Sequence, residues 1–91
     1  LERLSVLGVA LGDDGVRALA RGAAAASLVE LDLSLCGLTG AGLRSLRDIL
    51  GRGRLRRLAI GYNELHRADA EEMASWPELS RLHELEVGFF N

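Results

Sequence analysis

One offset organises the whole chain. Shifted by 27 residues against itself, the sequence lays apolar residue on apolar residue without a gap. Leu1, Leu28, Leu55 and Leu82 fall in one column, and Leu4, Leu31, Leu58 and Leu85 in the next. Val6, Leu33, Ile60 and Val87 follow, then Leu11, Leu38 and Leu65, then Leu19, Leu46 and Met73. A unit of this length is one supersecondary block that cannot bury its apolar side alone, so successive blocks must stack. The 91 residues are therefore expected to form a single array over 1–91, with units starting at Leu1, Leu28, Leu55 and Leu82.

Each unit divides into two halves. The first alternates with period two, so positions 4 and 6 face one way and positions 3, 5 and 7 the other. The second carries apolar residues at helical spacing, as in "GDDGVRALARGA" (12–23) and "TGAGLRSLRDIL" (39–50). Parallel strands are predicted near 3–7, 30–34, 57–61 and 84–88, and helices near 14–22, 41–50 and 68–75. Thr39 suits an N-cap, and Asp13 and Asp14 suit the positive end of a helix dipole. Pro77 should end the third helix early. Trp76, in the column of Ile49, is expected to pack against the helical layer.

The wording of "LVELDLSLCGLTGAGLRSL" (28–46) and "LGDDGVRALA" (11–20) resembles the leucine-rich repeats of ribonuclease-inhibitor type, and the resemblance covers the whole chain. It implies an α/β solenoid, a horseshoe whose parallel sheet lines the concave side and whose helices cover the convex side. It also implies Asn or Cys at the ninth position, bonding backbone in the turn that leaves the strand. Cys36 and Asn63 conform, whereas Val9 and Phe90 do not, so the first and last turns are expected to pack differently. Gly15 and Gly42 match each other, but Asp69 replaces them in the third unit, whose helix is expected to start differently. Neither end carries the polar cap usual in a solenoid. A fragment of a longer array is therefore expected, with end-to-end self-association through uncapped termini as the alternative.

Catalytic chemistry is not legible. Cys36 falls in the structural ninth-position slot, and His66 and His83 lack companions at metal-ligand spacing. "GDDG" (12–15) has too few ligands for calcium, and "GRGR" (51–54) lacks the strand and lysine of a phosphate loop. No cofactor is expected. A net charge of −2 gives no general attraction to nucleic acid or an anionic membrane, and "RGRLRR" (52–57) reads as a solvated turn entering a strand. No apolar run approaches the roughly 20 residues of a membrane span. One cysteine excludes an internal disulfide and suits a reducing, cytoplasmic setting.

What remains is the face of the sheet. Its third column, Arg3, Glu30, Arg57 and Glu84, alternates in charge at the interstrand spacing, so each residue meets opposite partners. Its fifth column is Ser5, Asp32, Ala59 and Glu86. The eighth, Gly8, Leu35, Tyr62 and Phe89, is apolar and aromatic where polar residues would be unremarkable. Either these side chains fold over the turns and pack locally, or they form an interface core with a charged rim. The expectation is a non-catalytic module recognising another protein through Arg3, Glu30, Asp32, Leu35, Arg57, Tyr62, Glu84, Glu86 and Phe89. Substrate recognition for a catalytic domain outside the chain is the alternative. The resemblance also admits a GTPase-activating role through Arg3 or Arg57, for which no specific motif is present.

Overall fold

The structure, a computed structural model, describes residues 2–87. Four strands, β1 (Arg3–Ser5), β2 (Glu30–Asp32), β3 (Arg57–Ala59) and β4 (Glu84–Glu86), form one sheet in the order β1-β2-β3-β4. All three pairings are parallel, and the register is the sequence period itself: Arg3 opposite Glu30, Glu30 opposite Arg57, Arg57 opposite Glu84. Between strands run the helices α1 (Gly12–Arg21), α2 (Leu43–Gly51) and α3 (Arg67–Ala74). The described residues thus form an α/β repeat fold.

The strands are shorter than the periodicity predicts, but the backbone ladder continues past their ends. Val6 N–H donates to Asp32 O at 3.0 Å, Gly8 N–H to Ser34 O at 3.1 Å, and Leu35 N–H to Gly61 O at 3.1 Å. Stacking therefore extends to the eighth position of the first two units. Two 3-10 segments, Ala23–Ser27 and Pro77–Arg81, lead back from helix to strand. Pro77 occupies the first turn of the second segment, where its missing N–H costs nothing.

The core lies between sheet and helices and consists of the repeat columns. Leu31 and Leu58, Leu33 and Ile60, Leu38 and Leu65, and Leu46 and Met73 are all buried. Each such side chain contributes about 1.5–3 kcal/mol on leaving water. Leu4, Val6, Leu11 and Leu19 from the first unit are only half-buried against this centre, as is Val87 from the fourth. Trp76 is buried at 4% exposure, as its column predicts, and Arg47 lies over its ring at 5.6 Å.

Adjacent units are also tied by polar groups. Thr39 caps the 3-10 turn Gly40–Gly42 by accepting from Ala41 N–H. Its own N–H and hydroxyl both donate to the Asp13 carboxylate, at 2.8 and 2.5 Å. Asp13 thus serves the next unit's turn as well as its own helix start. In the third unit Asp69 accepts from His66 N–H at 2.9 Å, so α3 begins on a carboxylate, whereas in the second unit a hydroxyl caps the 3-10 turn that precedes α2.

Candidate interaction surface

The sheet's outer face is built by strand alternation. Leu4, Leu31 and Leu58 point into the core, so their neighbours at the third and fifth positions point outward. The charged third column forms a continuous ladder. Glu30 receives Arg3 at 3.2 Å and Arg57 at 3.3 Å, and Arg57 also reaches Glu84 at 3.9 Å. These pairs are exposed, and pairs of this kind are worth only about 0–1 kcal/mol. Their consequence is geometric: the two guanidinium groups are held in place over the sheet.

The fifth column is less uniform. Asp32 bends back to accept from Ser34 N–H at 2.9 Å, closing the end of β2. Glu86 has no ion-pair partner among the described residues. Arg3, Glu30, Asp32, Arg57, Glu84 and Glu86 border one open depression of about 440 Å³, floored by Leu31, Leu58 and Ala59. Six of the residues singled out in the sequence therefore meet on one surface.

The ninth-position slots explain how the turns beside this face hold their shape. The Asn63 side-chain oxygen accepts from Cys36 N–H at 2.9 Å and Leu38 N–H at 3.0 Å. Its amide nitrogen donates to Leu33 O and Ile60 O, both at 2.9 Å. One amide thus joins two successive turns. Cys36 reproduces the donor half, its thiol pointing to Val6 O at 3.2 Å and Ser34 O at 3.4 Å. Burial pushes this thiol's pKa up, with the Asp32 charge adding to the effect, so the residue is a protonated donor rather than a nucleophile. A thiol is only a weak acceptor, and the N–H groups of the first turn are bonded elsewhere. Val9 N–H instead donates to Val6 O at 2.9 Å, and the Val9 side chain is exposed, as its failure to match the slot implies. Phe90 lies outside the described residues.

Leu35 and Tyr62, at the eighth position, stand on the same turns. Both adopt the left-handed backbone, with φ of 55° and 57°, and Gly8 of the same column has φ of 78°. Their side chains do not collapse onto the core: Leu35 is 53% exposed and Tyr62 61%. Phe89, the fourth member, lies outside the described residues. Leu7 and Val9, not singled out as binding residues, are equally exposed, at 55% and 52%. Their turn is joined to that of Leu35 through the Gly8 N–H bond to Ser34 O. The slot mismatch at Val9 was the available signal for this addition.

Among the described residues no group of His, Cys, Asp and Glu is placed to hold a metal ion, and no helix is long and apolar enough to cross a membrane. His66 and His83 are separate and exposed. Residues 24–46 match the family model described as Leucine Rich repeat, the stretch that runs from the end of the first unit through α2's start. No curated protein matches the chain. The match and the parallel four-stranded sheet together support a leucine-rich repeat protein, a class whose repeats generally mediate protein–protein interaction.

Proposed function

We propose that this chain is a leucine-rich-repeat solenoid of ribonuclease-inhibitor type, acting as a non-catalytic, cytoplasmic protein-recognition module. Its contact surface is the outer sheet face together with the eighth-position stripe. The observation that carries the reading is the backbone at Leu35 and Tyr62. A left-handed residue with a side chain costs about 1–2 kcal/mol relative to the ordinary helical conformation, a penalty glycine avoids. The same column holds glycine at Gly8. Leucine and tyrosine there, both left in water, cost the fold more in left-handed strain than they return by restricting the unfolded chain. Strain of this kind concentrates where side chains serve recognition.

The charges beside the stripe define the partner's chemistry. The depression's charged residues are two arginines, Arg3 and Arg57, against four carboxylates, with Glu84 held only at 3.9 Å and Glu86 unpaired among the described residues. A complementary partner presents an apolar group for Leu35 and Tyr62, with basic groups toward Glu84 and Glu86.

Affinity capture followed by mass spectrometry identifies the partner, and interferometry on the purified pair measures it. Tyr62→Ala should weaken binding about tenfold or more with an unchanged melting temperature. Arg57→Glu should slow association and change its salt dependence. A large drop in melting temperature for Tyr62→Ala with intact binding would make Tyr62 a packing residue and remove the stripe from the interface.

A further inference from the structure

On the opposite side of the molecule, α1 and α2 border a groove of about 690 Å³. Its charge runs against the chain as a whole. Five guanidinium groups line it, those of Arg17, Arg21, Arg44, Arg47 and Arg52, with only two carboxylates, Asp48 and Glu78, in a chain of net charge −2. The repeat produces the crowding. Arg17 and Arg44 occupy one column in adjacent units, and Arg21 follows Arg17 by one helical turn. Like charges so placed repel, and of the groove's two carboxylates Glu78 relieves only Arg47.

Glu78 is already committed. It takes Arg47 in a two-pronged pair at 2.6 and 3.4 Å, and that guanidinium is also seated over Trp76. Arg52 donates to Ala20 O at 3.0 Å, which fixes its position but leaves its charge uncompensated. Among the described residues Arg17 pairs only with Asp14, at 3.3 Å, whose side chain is almost wholly in water. Arg21 and Arg44 have no ion pair or hydrogen-bond partner among the described residues. The groove therefore offers two free guanidinium forks beside a third that is anchored and uncompensated.

We infer that this groove binds a compact, multiply phosphorylated polyol. Planar guanidinium groups match phosphate oxygens two at a time, and forks from both helices call for more than one phosphate. The volume of about 690 Å³ falls within the range of small-ligand sites. Asp48 and Ser45, which also line the groove, can accept the hydroxyls of a polyol but would repel or ignore a bare phosphate cluster. The site is independent of the sheet face, and a ligand here leaves that face open.

The test is titration calorimetry with inositol 1,4,5-trisphosphate, which carries three phosphates and three free hydroxyls, at about 0.15 M salt, where charges beyond a Debye length are screened. One saturable site is expected. Arg21→Glu combined with Arg44→Glu should weaken it about tenfold or more, since charge-assisted bonds are lost. Arg54→Glu makes the same type of change at an exposed arginine outside the groove and should leave binding within about twofold. Circular dichroism checks the fold; if the paired Glu variant melts, Arg21→Gln with Arg44→Gln carries the same readout without charge reversal. No saturable binding up to about 1 mM, unchanged binding in the paired variants, or an equal loss in Arg54→Glu each overturns the assignment. Vesicles containing phosphatidylinositol bisphosphate distinguish the source. Binding to them as well as to the soluble probe identifies a lipid headgroup, and soluble binding alone identifies a free solute. Vesicle binding alone overturns the groove as a site, because it reports only surface charge.

Discussion

Replacing Asn63 by alanine tests the joint between units most directly. The amide fills four backbone demands at once, and the two donors and two acceptors it meets are in two different turns. Removing it leaves the N–H groups of Cys36 and Leu38 facing a void, and both residues are fully buried. A buried donor without a partner costs about 1–3 kcal/mol, so the two together set the loss at about 2–6 kcal/mol. The carbonyls of Leu33 and Ile60 add less, because a carbonyl tolerates a missing donor better than an N–H tolerates a missing acceptor. Against a total stability of about 5–15 kcal/mol this is a large share. Urea unfolding followed through the fluorescence of buried Trp76 reads it as a lower midpoint with an unchanged slope. Val9→Asn is the matched control. Its side chain is exposed and the turn's N–H groups are already bonded locally, so stability should change by less than about 0.5 kcal/mol. A loss below about 1 kcal/mol for Asn63→Ala at constant slope would show that water replaces the amide, and the joint would not depend on it.

Gly42 tests the packing of the same joint: an added Cβ would strike Asp13 Oδ1 and Leu38 Cδ1, so Gly42→Ala should cost about 1–3 kcal/mol by urea unfolding. Gly51→Ala, at the open end of α2 with nothing within 4 Å, should instead be neutral or gain up to about 1 kcal/mol; the reverse order would refute the account. Glu78 supplies a pH test. The Arg47 hydrogen bond, and then its charge, hold the Glu78 carboxyl below the usual carboxylate range. A depressed folded-state value means the stabilisation is present above the unfolded value and is lost as pH falls through the folded one. The melting difference between wild type and Glu78→Gln should therefore exist at neutral pH and vanish in acid; a difference that persists there would be packing and not charge.

The 27-residue offset made the register legible because a parallel stack places equivalent positions side by side. The Arg3–Glu30–Arg57–Glu84 ladder and the Asn63 slot follow directly, being one-column properties. The two 3-10 segments were not legible. Ala23–Ser27 has no apolar period, and Pro77–Arg81 has its signal in a proline that reads only as a helix stop. The arginine groove escaped for another reason. Arg17 and Arg44 share a column and Arg21 follows Arg17 by one helical turn, but the arginines of the two helices, with Arg52, meet around one groove only through the packing of α1 on α2, which a linear period does not describe. The left-handed turn had one visible trace, the glycine at Gly8, and reading it down the column would have extended that conformation to Leu35 and Tyr62.

That conformation separates stability from recognition at Leu35. Alanine at this position removes the exposed side chain but keeps a Cβ on a left-handed backbone held by the bond from Leu35 N–H to Gly61 O. Glycine removes the Cβ too. It relieves about 1–2 kcal/mol of strain and gives back about 0.4–1 kcal/mol through the freer unfolded chain. Leu35→Gly should thus be the more stable of the two, by up to about 1.5 kcal/mol, although glycine ranks below alanine in a helix or strand interior. Both variants lack the apolar group, so both should lose partner binding to the same extent. Urea midpoints and binding constants on the same two samples settle the point. If alanine is the more stable, the left-handed turn is not what holds the eighth position. If glycine is more stable but both bind as wild type does, the turn stands and the stripe is not the contact.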